Sequence, residues 1–174
     1  MLWLMLGCLT RQDVVKAPQA TPTVVAPVME FVDKRDVVGA PEGLTEAVLI
    51  ELEKRNLPPT IVGEDRWGES FEARRTTSHR LEARTDAAGG AHLVVLVETE
   101  ASYFSQMNGR YRWTVDVVAS VAPSDAPDQA LTHELSVPVF LDFYHQREPE
   151  AVAAGAAVIG RHVGSLLDAY LGGL

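Results

Sequence analysis

The stretch HLVVLVETEASYFSQMNGRYRWTVDVVASVA, residues 92–122, decides the fold. At its centre Asn108-Gly109 tolerates the positive φ needed at both middle positions of a type I′ turn, so Leu93–Met107 and Arg110–Ala122 read as the arms of one long hairpin. A two-residue loop sets Phe104 opposite Trp113, Gln106 opposite Tyr111, Ser102 opposite Val115 and Leu96 opposite Val121. On the return arm Tyr111, Trp113, Val115, Val117, Ala119 and Val121 alternate with Arg112, Thr114, Asp116 and Ser120, the period of a half-buried strand. The outgoing arm brings Glu98 and Glu100 onto the same nominally apolar face. That conflict requires either a bulge that shifts the register or a far half that leaves the core.

Downstream, Pro123–Asp128 forms a turn cluster, and Leu131, His133, Leu135, Val137, Val139, Leu141 and Phe143 alternate inward along a further strand. Pro138 places that strand at an edge or a bulge. Glu148 and Pro149 open a helix whose apolar positions Val152, Ala156, Ile159, Val163, Leu166, Leu167 and Tyr170 recur three and four apart. Gly155, Gly160 and Gly164 would let its backbone lie close to a sheet, and Gly172-Gly173 ends it.

Upstream, a first strand is expected over Val28–Val32. A helix from Leu44 to Arg55 carries Leu44, Val48 and Leu52 on one face and is stopped by Asn56, Pro58 and Pro59. A short strand, Thr60–Val62, follows. Between 64 and 90 the chain carries Arg66, Arg74, Arg75, Arg80 and Arg84 among Glu64, Glu69, Glu72 and Glu82. Such a segment could offer a basic face to an anionic lipid, a glycan or a protein. The acids beside each arginine favour a solvated, charge-mixed helix or loop instead, pinned to the body by Trp67 and Phe71. The order strand, helix, strand, charged segment, hairpin, strand, helix implies an α+β fold: a two-layer sandwich with two helices on one face of a mainly antiparallel sheet of four to five strands.

The chain has 174 residues, 47% apolar and 22% charged, which suits one packed domain. Its net charge of −9 argues against nucleic acid as a partner. The single cysteine excludes an internal disulfide, so its position matters. Cys8 follows the apolar Leu2–Leu6 and the small Gly7, and polar residues begin at Thr10. This order resembles the end of a bacterial lipoprotein signal peptide, whose cysteine thiol receives a diacylglyceryl group, palmitate being a typical acyl chain. Leu9–Pro27 then reads as a tether with prolines at 18, 22 and 27, able to reach roughly 60 Å at about 3.1 Å per residue. The expected division is a signal remnant at 1–7, an acylated Cys8 and tether at 8–27, and one α+β domain at 28–174. No basic segment precedes Cys8, so a start codon upstream of Met1 is expected.

Together, Cys8, the tether, the helix Leu44–Arg55, the hairpin with Ala101-Ser102-Tyr103-Phe104 and Gly109-Arg110-Tyr111-Arg112-Trp113, and the closing helix resemble the small periplasmic lipoproteins of the LPS-assembly lipoprotein and penicillin-binding-protein-activator kind. The resemblance is one of layout over residues 8 to 174. It implies a non-catalytic domain anchored to the outer membrane, on its periplasmic face, that serves as an assembly, scaffold or regulatory partner of a cell-envelope protein complex. The rival expectation is a carrier of a lipid or other small amphiphile held between helices and sheet.

The residues offer little for catalysis. Histidines 79, 92, 133, 145 and 162 fall in separate segments without metal-ligand spacing, and neither a phosphate-binding nor a dinucleotide-binding motif is present. Glu98, Glu100 and Asp116 are the one candidate carboxylate set, more simply read as solvated strand positions. No enzyme activity, cofactor or metal is therefore expected. Recognition falls instead to the hairpin tip, where Tyr103, Phe104, Met107, Arg110, Tyr111 and Arg112 bring together the residue types enriched at interfaces. Core packing alone would already account for Phe104 and Trp113.

Overall fold

A computed structural model of the chain describes residues 22–25, 28–29, 37–38, 41–61, 77–87 and 91–173. The readings placed on Cys8, the signal remnant, most of the tether, Arg66, Trp67, Phe71, Arg74 and Arg75 lie outside these residues. In chain order the elements are β1 (Pro22–Val25), β2 (Val28–Met29), β3 (Val37–Val38), α1 (Glu42–Glu53), β4 (Thr60–Ile61), α2 (Thr77–Ala87), β5 (Leu93–Met107), β6 (Arg110–Pro123), β7 (Leu131–Leu141) and α3 (Glu148–Gly172).

The hairpin forms where its sequence demands. Asn108 and Gly109 take φ of 51° and 77°, the left-handed pair of a type I′ turn. Near the turn Gln106 faces Tyr111, as expected, but the register shifts between Tyr103 and Ser105. Phe104 is the extra residue of a bulge. Beyond it Tyr103 faces Trp113, Ala101 faces Val115 and Val95 faces Val121, one residue away from the simple two-residue register. This shift resolves the conflict over the acids: Leu93, Val95, Val97 and Ala101 turn toward the helices, while Glu98 and Glu100 move to the opposite face.

The α+β sandwich is as expected, and its antiparallel body is smaller. It consists of the three long strands β5, β6 and β7, with β7 at the edge and Pro138 opposite Thr114. The outer edge of β5 receives short strands instead of further long ones. There β1 pairs in parallel with Leu93–Leu96, and β2 continues the same line opposite Thr99 and Glu100. Thr23, Val24 and Val25 belong to the stretch read as tether, yet their β-branched chemistry suits the strand they form. The first strand expected over Val28–Val32 is described as the two-residue β2. Because β4 also pairs in parallel with β1, α1 is the crossover of a β-α-β unit, a parallel pairing that the reading of a mainly antiparallel sheet did not place.

The core lies between this sheet and two helices. Leu44, Val48 and Leu52 of α1 and Val152, Ile159, Val163, Leu166 and Leu167 of α3 are all fully buried against Val95, Val97, Val115, Val117, Ala119 and Val121. Fully burying one such side chain stabilises the fold by about 1.5–3 kcal/mol. Gly155 does face the sheet, next to Val137 and Val139, whereas Gly160 and Gly164 face α1. A Cβ on Gly160 would lie 2.8 Å from the Ala47 carbonyl oxygen, so its bare backbone sets the helix–helix distance. Arg55 braces the same contact: Nε and Nη2 each donate to Asp168 at 2.7 Å, and Nη1 donates to Glu51 at 2.8 Å. This guanidinium holds both carboxyls below their ordinary range, Lys54 being the larger influence on Glu51.

The second sheet face carries α2, part of the segment read as solvated. Ala83 is fully buried and Arg84 is 5% exposed, its Nε donating to the Pro127 carbonyl at 2.8 Å. Arg80 reaches Glu98 at 2.6 Å. Glu98 has no exposed surface, so the reading of a solvated strand carboxylate is corrected. Among the described residues, both arginines answer partners far along the chain.

Candidate functional site

Two segments meet at one end of the sandwich: the hairpin tip and the connection from β7 to α3. The expected strand ran to Phe143, but β7 stops at Leu141 and leaves Phe143 59% and Tyr144 73% exposed. Gln146 shapes the connection, its Oε1 accepting the N–H of Asp142 at 3.1 Å and of Phe143 at 2.9 Å. Arg147 Nη1 donates to the Tyr144 carbonyl at 2.5 Å, and the Arg147 N–H donates to Glu150 Oε2 at 2.8 Å. The second bond is the backward half of a capping box, and with Pro149 in the first turn it starts α3 directly behind the loop.

Between the two segments lies an open pocket of about 290 Å3 lined by Tyr103, Tyr111, Trp113, Tyr144, Gln146, Arg147 and Glu148. Tyr103 and Trp113 are a cross-strand pair packed edge to face, with ring centroids 5.6 Å apart. Trp113, 5% exposed, belongs to the core and forms the pocket's inner wall. Tyr111 is half-buried between Gln106 and Leu141.

The bulge divides the six tip residues between two surfaces. Tyr103 and Tyr111 line the pocket, while Phe104 is turned out, 63% exposed, with the Arg112 guanidinium 4.5 Å from its ring centre. The default expectation that Phe104 packs in the core is thereby corrected, while Trp113 does pack there. Arg110 lies 5.7 Å from the ring centre of Phe140 and pairs with Asp142 at 2.8 Å. That pair is solvent-exposed and contributes at most about 1 kcal/mol. Met107 is exposed at the turn. The hairpin does not project far: β7 flanks β6 as far as Tyr111.

Sequence reasoning missed Phe140, Phe143, Tyr144, Gln146, Arg147 and Glu148. The run Phe143-Tyr144-His145 was a usable signal, because three aromatic residues just before a helix start cannot all continue an alternating strand. In the structure His145 stacks on Phe143, centroids 5.5 Å apart, and meets Tyr144 edge-on.

Elsewhere, His133 and His162 are brought together with ring centroids 5.8 Å apart. Burial, and secondarily His133, lowers the pKa of His162. Among the described residues no three His, Cys, Asp or Glu side chains gather as a metal site. Asp116 accepts from the Ser136 hydroxyl, and Glu98 is held by Arg80, so two of the three candidate carboxylates are engaged by neighbouring side chains. No described helix is long and apolar enough to cross a membrane.

No family model matches the chain, and no curated protein matches it. Similar solved structures include lipoprotein GNA1162 from Neisseria meningitidis, at 13% identity and a TM-score of 0.45, over 87% of this chain and 99% of that one. Protein XCC0632 from Xanthomonas campestris is similar at 13% identity and a TM-score of 0.41, over 89% of this chain and 88% of that one. Rare lipoprotein B from Shewanella oneidensis is similar at 13% identity and a TM-score of 0.36, over 86% and 94%. At such identities and scores nothing that those proteins do transfers to this chain.

Proposed function

We propose that this chain is a non-catalytic bacterial lipoprotein, anchored through Cys8 to the periplasmic face of the outer membrane, that serves a cell-envelope protein complex as an assembly, scaffold or regulatory partner. Docking uses the aromatic end formed by the hairpin tip and the β7–α3 connection. One observation carries this reading. Of the nine large apolar side chains exposed among the described residues, six gather there: Tyr103, Phe104, Met107, Phe140, Phe143 and Tyr144. Scattered apolar residues on a surface need no explanation, but exposed aromatics gathered at one end of the molecule, on the two surfaces either side of the bulge and flanked by arginines, have the composition of an interface.

The amphiphile-carrier reading places its ligand between helices and sheet. There Val48, Ile159, Val163 and the facing strand residues are fully buried, and the pocket described above opens at the tip instead. That location supports docking over carriage.

Two experiments test the two halves of the proposal. Metabolic labelling with a radioactive fatty acid should mark the wild-type chain and leave Cys8→Ser unlabelled; an unlabelled wild type sinks the anchor. The paired substitutions Phe104→Ser and Tyr144→Ser should leave the thermal midpoint within a few degrees while abolishing co-purification of a specific envelope protein. Undiminished co-purification would place the docking surface elsewhere.

A further inference from the structure

We propose that the pocket beneath the hairpin tip receives one basic side chain of the docking partner, an arginine in preference to a lysine; the inference rests on the docking reading and specifies its chemistry. Four aromatic rings, Tyr103, Tyr111, Trp113 and Tyr144, wall the pocket. Aromatic faces carry the negative part of the ring quadrupole and attract cations. Glu148 adds a full negative charge to the same wall. It is only 9% exposed, and among the described residues nothing donates to its carboxylate. A cation entering the pocket would meet this carboxylate at its wall.

The other ligand charges fit less well. An anion would lie against Glu148, and the helix dipole of α3 is already answered by Glu148 and Glu150 in its first turn. Arg147, the basic residue of the lining, keeps its charge, but its Nη1 is committed to the carbonyl oxygens of Tyr144 and Gln146 in its own loop. The chain's net charge of −9 draws basic partners from a distance. Size sets a further limit. About 290 Å3 is at the small end for a ligand site and suits one long side chain. A guanidinium is favoured over an ammonium because it is planar, stacks on aromatic rings and can grip a carboxylate with two parallel hydrogen bonds. The pocket is also preformed. Gln146 ties down the loop that carries Tyr144, and Trp113 is held in the core, so little ordering remains to oppose binding.

The test titrates the full chain with blocked arginine, Nα-acetyl-arginine amide, and with its neutral isostere, Nα-acetyl-citrulline amide. The readout is the Trp113 indole N–H signal in 15N NMR, assigned with Trp113→Phe. Blocked arginine should shift the signal saturably, and citrulline should bind at least about tenfold more weakly. Glu148→Gln should lose about tenfold in arginine affinity and retain the wild-type thermal midpoint. Tyr144→Ala should lose affinity as well, with the fold again intact. Equal binding of arginine and citrulline, an unaffected Glu148→Gln, or no saturable shift with arginine overturns the proposal. Saturable binding of N-acetylglucosamine in preference to arginine also overturns it, assigning the pocket to a sugar. The docking reading is judged separately. If Phe104→Ser with Tyr144→Ser abolishes partner capture but Glu148→Gln leaves it unchanged, docking stands and the basic occupant fails.

Discussion

Glu98 sits with no exposed surface on the second sheet face, and among the described residues its Oε1 has no hydrogen-bond partner while Oε2 takes Arg80 at 2.6 Å. Removing the cation leaves a buried charge, so Arg80→Ala should lower stability by about 3–5 kcal/mol in urea unfolding. Arg80→Met combined with Glu98→Leu should recover most of that loss; a double variant no better than Arg80→Ala would show that the pair is not what holds α2. His162 gives a pH signature. Its folded pKa lies below the ordinary 6.5, so the unfolded chain binds the proton more readily. This contribution is complete above 6.5 and is lost as the pH falls through the lowered folded value. Thermal midpoints should therefore drop on acidification from neutral pH, and His162→Gln should flatten part of that slope. An unchanged slope would assign the effect to other groups. Neither site was legible in the sequence. Arg80 and Glu98 are 18 positions apart, and His133 and His162 lie on different elements, so only the tertiary fold makes them neighbours.

At the scale of elements, periodicity served well where strands and helices are long. The arms of the hairpin, the strand after it and the closing helix stand where alternation and the three-and-four spacing put them. The bulge is the instructive exception. Asn108-Gly109 dictated the turn, Glu98 and Glu100 on the apolar face dictated that a shift must occur, but nothing local marked Phe104 as the residue displaced. Because Phe104 is the extra residue, deleting it regularises β5 without changing which residues face the core. The deletion should fold with a midpoint near wild type while losing the aromatic contact to Arg112; an unfolded product would show that the bulge itself is required. Helix packing makes a second prediction. Gly160→Ala brings a methyl group against the Ala47 carbonyl and should cost about 1–3 kcal/mol in urea unfolding, since the α1–α3 distance must increase. A neutral effect would mean that the helices adjust freely.

For the whole molecule, the balance of helices and sheet followed from element order, whereas the parallel crossover through α1 did not. Strands of two to four residues carry too little pattern to be placed by periodicity, and parallel pairing is a long-range choice. The docking end was half legible. Its hairpin residues stood out by type, but the β7–α3 connection joins them only because the sheet brings Tyr111 beside Leu141. The measurement that bears most directly on this account places a photo-crosslinking amino acid at Phe143 or Phe104 in the full chain in bacterial cells, with Val158 and Ile50 as exposed controls on α3 and α1. The account predicts one shared adduct with an envelope protein from both aromatic-end positions and none from the controls. Adducts of equal yield from all four positions, or none from the aromatic end, would contradict it.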